Sequence, residues 1–575
     1  MYVDSSTTTI NAKTYRRHLL RESYREDGRV KHRTIANLSR CSPEELEAIR
    51  LALRYKGELA ALLSAQKGCG DAPGLSVAGD VLQQAAAWAV RQGLSVGAVW
   101  LVYDVARRLG IERALGTSRQ GRLALWQVIA RVLDQGSRLS AVRLATSHAA
   151  CDVLGLEAFD EDDLYANLDW LCEGQAAIEQ RLFENRAASP AAGLFLYDVT
   201  SSYLEGTENE LAAFGYNRDG KRGKKQIVIG LLCDGEGEPV SVEVFEGNTQ
   251  DAQTFVPQVT KAAKRFGARE VTFVGDRGMI KSRQIAALGE FAEKGFHYIT
   301  AITKPQIETL LKAGTIQLDL FDSEVAEVST DQGVRYILRR NPARAIQIAA
   351  SRQDKWAALE KELARQNAYL REHPRASVEV ARRKTQERAV QLCISAWVCV
   401  TADHAGRQIA LSLDEAALAE RAKLDGCYVL KTDLECAVAD KHRVHARYKD
   451  LAQVEWAFRT SKTVELELRP IHVRLASRTR GHVFVVTLAY RLARELALRW
   501  RALDTTVQEG IDELKTLCAT EILHNGRVLC SQLPEPRPSV RALLDAAAVR
   551  LPEALPSKGA HVTTKRKLPI RRKER

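Results

Sequence analysis

Apolar and polar positions recur in distinct ways along this chain, and each way predicts its own kind of element. From about 77 to 188 the period is helical: "GAVWLVYDVARRLGI", "LALWQVIARVLDQG" and "DEDDLYANLDWLCEGQAAIEQRLF" repeat apolar residues every three or four positions. The pattern changes at Gly193. "GLFLYDVTSSYLEG" is an apolar run of strand type, and "QIVIGLLCDGEGEPVSVEVFEGN" reads as two long strands around a turn. A helix "DAQTFVPQVTKAAKRFG" follows, with Thr249 or Asp251 as its N-cap. Then come a strand "EVTFVGDRG", a helix "SRQIAALGEFAEKG" and a strand "HYITAIT". A meander followed by alternating helices and strands predicts a mixed sheet with flanking helices.

Both flanks of this core differ from it. "LLRESYREDGRVKHRTIANL" sets two polar, β-rich arms around Asp27-Gly28, a strong hairpin signal, and the arms bear Arg21, Arg25, Arg29, Lys31 and Arg33. "SPEELEAIRLALRYKGELAALL" reads as a helix capped by Ser42, with Glu45 completing a capping box. Residues 305–425 carry strand-like "VRYILRRNP" and "AVQLCISAWVCVTAD" around a charged helix near 353–385. "DGCYVLKTD" returns to the style of the core, and a helix is predicted over 441–466. A basic, apolar segment, "RPIHVRLASRTRGHVFVVTLAYRLARELALRW", comes next, and the chain ends in "KRKLPIRRKER".

Bulk properties narrow the class. A chain of 575 residues exceeds one hydrophobic core, so two to four domains are expected. The net charge of +12 and pI of about 9.1 favour a polyanionic partner. The 11 cysteines are scattered singly with no CxxC pair, which fits buried thiols in a reducing compartment better than a disulfide framework or zinc site. The N-terminus lacks an apolar signal region, and the longest apolar runs carry charges at helical spacing, so no membrane span is expected.

The chemistry concentrates in carboxylates. Asp198 and Asp276 each follow a buried-type strand, at the edge where open α/β sheets build their sites. The acidic run Asp160–Asp163 reads instead as the first turn of a helix, favoured by the helix dipole. Glu455 lies in "YKDLAQVEWAFRTSK", where Tyr448, Glu455 and Lys462 stand seven apart and so share one helical face. Three converging carboxylates repel unless cations neutralise them, and oxygen donors suit Mg²⁺, with Mn²⁺ as substitute. Two ions roughly 3.5–4 Å apart would activate an attacking oxygen and stabilise a leaving one. A phosphodiester substrate matches the basic surplus. Trp456 and Trp397 both read as core residues, and the histidines of "RPIHVR" and "RTRGH" as poor candidates for ligands of a hard cation.

In order, "YDVTSSYLEG", "FVGDRGM" and "YKDLAQVEWAFRTSK" resemble the three catalytic segments of bacterial insertion-sequence DDE transposases. The resemblance is to the group whose third segment carries Tyr, Arg, Glu and Lys at fixed spacing. Tyr448, Glu455 and Lys462 fit; Leu451 stands where that group has arginine, and Arg459 lies on nearly the same stripe. The resemblance implies an RNase H-like mixed-sheet core with a β-rich insertion, preceded by a mostly helical region. It implies Mg²⁺-dependent cleavage at the element ends and strand transfer into target DNA, with Asp198, Asp276 and Glu455 as catalytic metal ligands.

Candidate DNA contacts are Tyr448, Arg459, Lys462, Lys224, Lys225, Arg277, Arg29 and Lys31. The partners expected are double-stranded DNA, both terminal inverted repeats and target, and a second copy of the chain in the active complex. The expected location is the bacterial cytoplasm, at the nucleoid. The expected divisions are 1–60 (basic hairpin and helix), 61–190 (helical, DNA-binding), 191–304 (core, first part), 305–425 (insertion), 426–500 (core, second part) and 501–575 (helical end and basic tail). End recognition is expected within residues 1–190. Competing readings are a structure-specific RNase H-like nuclease, an inactive DNA-binding derivative, and a haloacid-dehalogenase-like phosphatase; the last wants a second acid where Thr200 stands.

Overall fold

The computed structural model describes residues 2–10, 13–26, 29–54, 88–185, 193–206, 208–266, 268–463, 466–469, 471–524 and 526–553, with isolated positions 555, 562 and 564 beyond. At the N-terminus β1 (Tyr2–Ile10), β2 (Lys13–Glu26) and β3 (Arg29–Asn37) form an antiparallel sheet. The predicted hairpin arms pair with Glu26 opposite Arg29 and Tyr24 opposite Lys31; Asp27 and Gly28 lie outside the described residues. Helix α1 (Pro43–Arg54) opens on the predicted capping box. The Glu45 amide donates to Ser42 Oγ at 3.2 Å, and the Ser42 amide to Glu45 Oε2 at 2.6 Å.

The helical reading of 77–188 needs one correction. Residues 88–95 form a strand, β4 (Trp88–Ser95), whose partner comes from the far end of the chain. Helices then follow as predicted: α2 (Gly97–Arg108), α3 (Ile111–Leu115), α4 (Arg119–Leu133), α5 (Arg138–Ser147), α6 (Ala150–Leu154) and α7 (Glu161–Glu184). The acidic run opens α7, with Asp160 Oδ1 accepting from the amides of Asp162 and Asp163 at 2.9 and 3.1 Å.

The core begins with β5 (Leu194–Tyr203), β6 (Gln226–Asp234) and β7 (Pro239–Phe245), then α8 (Asp251–Thr260), β8 (Val271–Gly275), α9 (Ser282–Gly289) and β9 (Phe296–Ala301). Neither Thr249 nor Asp251 is the N-cap of α8; Gln250 is, and Asp251 is the first helical residue. After α10 (Lys304–Lys312) come β10 (Ala326–Ser329) and β11 (Arg335–Arg340). The residues predicted as a β-rich insertion therefore divide in two. Strands β10 and β11 extend the main sheet. The rest is a long helical hairpin, α11 (Pro342–Glu372) and α12 (Val378–Gln391), carrying the ribbon β12 (Val398–Asp403) and β13 (Gln408–Leu413) and closed by α13 (Glu415–Ala422). Trp397 is core, as expected, stacked on Trp356 at 6.3 Å between ring centres.

Strand β14 (Cys427–Thr432) returns to the main sheet, whose order is β10-β11-β14-β9-β8-β5-β6-β7. Strands β5, β8 and β9 are parallel neighbours, and the other pairs are antiparallel. Read from β7 to β9, the core order is third, second, first, fourth, fifth, the arrangement of the expected RNase H-like core. The predicted helix over 441–466 is broken at Asp450 into α14 (Lys441–Lys449) and α15 (Leu451–Lys462). Helix α16 (Ala476–Trp500) and α17 (Val507–Lys515) follow. The antiparallel pair β15 (Cys518–His524) and β16 (Arg527–Gln532) comes next, then α18 (Pro538–Ala546). Strand β15 also pairs with β4, closing a ladder between residues more than 400 positions apart.

Period two sorts the sheet into two faces. Phe195, Tyr197, Val199 and Phe273 pack with Phe255 and Val259 of α8 on one face. Leu196 and Val274 face the other way, into the cluster that holds Val454 and Phe458 of α15, Val483 of α16 and Leu171 of α7. Helix α16 approaches α7 so closely that a Cβ on Gly481 would fall 2.2 Å from the Leu168 carbonyl oxygen. A buried carboxylate reinforces the seam: Glu179 of α7 accepts from Arg265 at 2.8 Å, Ser241 Oγ at 2.9 Å and the Val242 amide at 3.1 Å. Burial raises the Glu179 pKa, against the pull of Lys261. The N-terminal helices thus share one core with the catalytic sheet, so a fragment ending near 190 would expose the face that α16 covers.

Candidate active site

The site follows from strand register. Strands β5 and β8 run parallel with Leu196 beside Val274 and Tyr197 beside Gly275. One residue further the two aspartates stand side by side, on the face shared by Leu196 and Val274: Asp276 is the first residue past β8, as expected, whereas Asp198 does not follow its strand but lies within β5, which runs on to Tyr203 paired with β6. Helix α15 covers that face. Its Leu451, Val454, Ala457 and Phe458 are buried, which turns Glu455 outward along the edge of the sheet. Asp198, Asp276 and Glu455 consequently line one open cavity of about 280 Å³.

The electrostatics are those of crowded carboxylates. Asp198 is pushed up to about 7, first by burial, which outweighs the hydrogen bond from the Val199 amide, and then by the charges of Asp276 and Glu455, while Arg218 pulls it down. Asp276 is fixed by neighbours: its Oδ1 accepts from the Arg277 amide at 2.7 Å and from the Tyr448 hydroxyl at 3.2 Å. Burial, then the charge of Asp276, raises the Tyr448 phenol. Among the described residues no three His, Cys, Asp or Glu side chains stand close enough to hold one ion as they are. The three carboxylates instead line one open cavity without meeting. The donor set is all oxygen, and a carboxylate destabilised by two others is one that a hard cation would relieve, so the residues fit divalent metal.

The stripe of "YKDLAQVEWAFRTSK" is engaged at both ends. Tyr448 meets Asp276 rather than standing free for a DNA backbone. Lys462, expected as a phosphate contact, has its side chain 9% exposed; its Nζ donates to Thr200 Oγ1 at 2.6 Å and Asp219 Oδ1 at 3.0 Å. Asp219 also accepts from Arg469 at 2.5 Å and from the Tyr203 amide at 3.1 Å. Leu451, where an arginine would complete the signature, packs in the core, whereas Arg459 is exposed. Trp456 is 66% exposed, which overturns its reading as a core residue: Ala457 and Phe458 take the inward positions of that turn.

The other candidates are not among the residues lining the cavity. Lys224 pairs with Glu205 at 2.9 Å, and Lys225 lies beside it at the entry to β6. Arg277 is exposed next to Asp276. Lys31 lies on the exposed N-terminal sheet, which packs on the β15–β16 hairpin; the side chain of Arg29 lies outside the described residues. His482 is buried against Arg138, its Nδ1 2.9 Å from the guanidinium, in keeping with a histidine that holds no metal. Two charged residues of the cavity wall are not among the site residues expected from sequence: Arg218, which opens the basic loop "RDGKRGKKQ" that reads as either solvated or a phosphate contact beside the site, and Asp251, which reads only as a helix cap. Their only signals were a basic loop before β6 and an acid at a helix start, both common in solvated turns.

Residues 190–492 match the Transposase DDE domain, and residues 3–64 match the IS1634 family transposase, N-terminal domain. With more than half of its length matched, the chain belongs to the DDE transposases of insertion sequences. It is a DNA transposase, an enzyme that cleaves DNA and transfers strands, and DNA is its partner. Domains of this kind use divalent metal ions. This sets aside the phosphatase reading of "DVTSS". No curated relative matches. Among solved structures the chain is similar to the piggyBac transposase synaptic complex with hairpin DNA, at 9% identity over 78% of this chain and 75% of that one, with a TM-score of 0.32. No helix among the described residues is long and apolar enough to cross a membrane.

Proposed function

We propose that Asp198, Asp276 and Glu455 are the catalytic acids, holding two Mg²⁺ ions, replaceable by Mn²⁺, at the ends of the element that encodes this chain. The observation that carries this reading is the meeting of the middle of β5, the end of its parallel neighbour β8 and one helix face around a single cavity. Bound divalent ions would supply a nucleophilic oxygen at neutral pH and charge stabilisation for the leaving 3′ oxygen. The chain's own residues set the geometry. Tyr448 and the Arg277 amide orient Asp276, and the strand register fixes Asp198 beside it. In the first step water attacks the phosphorus at the element end and the 3′-OH leaves. In the second that 3′-OH attacks a target phosphodiester and displaces another 3′ oxygen. Two copies of the chain, one for each terminal inverted repeat, would make up the active complex. Exposed Arg459, Arg277 and Lys31 are assigned to the DNA backbone, and Lys224, Lys225 and Arg29 to the same role; Tyr448 and Lys462 act beneath by fixing the helix.

The test uses a duplex ending in the inverted repeat that flanks the coding sequence. Asp198→Ala, Asp276→Ala and Glu455→Ala should each abolish cleavage while retaining end binding. Mg²⁺ or Mn²⁺ should be required, and Ca²⁺ should support binding without cutting. Cleavage persisting in any one variant removes that residue from the site.

A further inference from the structure

We propose that Arg218, aimed by Asp251, grips a non-bridging oxygen of the scissile phosphate, making the pair a fourth working part of the site. The inference rests on the carboxylate site proposed above. Arg218 and Asp251 line the same cavity as Asp198, Asp276 and Glu455. One guanidinium nitrogen of Arg218 reaches both oxygens of Asp251, at 2.6 Å each. The Arg218 side chain is 24% exposed, and its other two nitrogens bond nothing among the described residues. A guanidinium with one nitrogen held by a carboxylate and two left unbonded, on a residue that lines an open, acid-lined cavity, has the form of an oxyanion receptor.

Its mounting is rigid although it sits on a loop. The Arg218 amide donates to Ser201 Oγ at 3.0 Å, on the strand that carries Asp198. The side chain of the next residue, Asp219, is buried and held by Lys462, Arg469 and the Tyr203 amide. The ring of Tyr216 lies 5.7 Å from the guanidinium carbon. Asp251 is equally committed. It is the first residue of α8, where the helix dipole favours a carboxylate, and both its oxygens face Arg218. That leaves it poorly suited to be another metal ligand and well suited to orient an arginine. A phosphodiester in the cavity gains negative charge as phosphorus is attacked, and a fixed cation on its free oxygen is strongest at that moment.

Single-turnover cleavage by the full-length protein, on the same inverted-repeat duplex with Mg²⁺, tests this. Arg218→Ala should slow cleavage by about a hundredfold, while the Kd for the duplex, measured in Ca²⁺, changes less than about threefold, as expected of a contact made chiefly in the transition state. Ethylguanidinium at non-denaturing concentration should restore part of the Arg218→Ala rate and none of the Asp198→Ala rate. Asp251→Asn should cost less than Arg218→Ala and add nothing to it in the double variant. An Arg218→Ala rate within about threefold of wild type, with Asp198→Ala inactive, overturns this proposal alone. A slow variant that ethylguanidinium does not rescue assigns Arg218 a structural role and overturns it too. Cleavage by Asp198→Ala overturns the carboxylate site and this proposal together.

Discussion

Removing the carboxylate of Asp219 should destabilise the active-site half of the protein more than removing its lysine partner. The side chain is 2% exposed and accepts from Lys462, Arg469 and the Tyr203 amide. Asp219→Ala leaves two cations facing each other and a strand N–H without its acceptor. Breaking a buried ion pair from one side costs about 3–5 kcal/mol. Arg469, with a third of its side chain exposed, can turn to water, so the penalty falls mainly on Lys462. About 3 kcal/mol for that ammonium plus about 1 for the N–H gives about 4 kcal/mol. Lys462→Met costs less, about 1–2 kcal/mol, because Asp219 keeps Arg469 and the amide. Since the described residues hold several separate hydrophobic clusters, a single melting point averages over them, and hydrogen exchange of peptides covering 194–206 and 451–463 is the better assay. Asp219→Ala should lower protection there by roughly a thousandfold, Lys462→Met by roughly tenfold, at about 1.4 kcal/mol per decade. The double variant should recover most of the loss, since no uncompensated buried lysine remains. Equal losses in the two single variants, or a double variant worse than Asp219→Ala, would refute the electrostatic account.

Other expectations follow from the same geometry. The folded pKa of Asp198, about 7, lies above its ordinary value of 3.8, so the folded state holds the extra proton. Stability of the metal-free protein should therefore fall as pH rises from about 4 to about 7, with the penalty full above that range. Asp198→Asn should flatten that slope in thermal unfolding without divalent ions, and Mg²⁺ should stabilise wild type more at pH 8 than at pH 6; an unchanged slope would show that Asp198 ionises freely. Tyr448→Phe removes one hydroxyl from Asp276, worth about 1 kcal/mol, and should slow cleavage about fivefold with end affinity unchanged. Trp456→Ala should shift stability by less than about 0.5 kcal/mol, because the ring is exposed; a larger loss measured by unfolding would mean it packs after all.

Local pattern was enough to locate the parts of this site that depend on short-range chemistry. Apolar runs located β5 and β8, and Asp276 does follow where its run stops; Asp198 instead interrupts a strand that continues to Tyr203, held there by its pairing with β6. The box at Ser42 and Glu45, and the acidic turn at Asp160, are contained within four residues and were legible for that reason. What failed was everything decided by distant partners. Strand β4 looks helical because its strand partner is β15. Strands β10 and β11 belong to the main sheet only because β14 returns beside them after the helical hairpin. Lys462 is indistinguishable in sequence from a surface lysine until Asp219 is seen beneath it. Trp456 was misread for a related reason: hydrophobicity favoured burial, but the inward positions were already filled by Val454, Ala457 and Phe458.

The seven-residue spacing of Tyr448, Glu455 and Lys462 takes its physical meaning from what stands opposite each of them. Seven residues advance a helix by about 10 Å, so the two ends of the stripe lie about 20 Å apart. At one end Tyr448 meets Asp276 at the end of β8; at the other Lys462 meets Thr200 on β5 and Asp219 in the loop before β6. The helix is thus tied to the two strands that supply the aspartates, and Glu455 lies between the ties. Asp450 interrupts the helix near the first tie, which lets α14 and α15 meet the twisted sheet without one straight axis serving both. Glu455 itself is exposed, so packing does not hold its carboxylate. Its backbone is held instead, by a hydroxyl bound to one proposed metal ligand and an ammonium bound two residues beyond another. Under the proposed function this arrangement confines the third carboxylate before any ion arrives and leaves its oxygens free to complete the set. The same positive charge that would make Lys462 a good phosphate contact on a surface serves here to fix the helix, which is why its burial is consistent with the family signature.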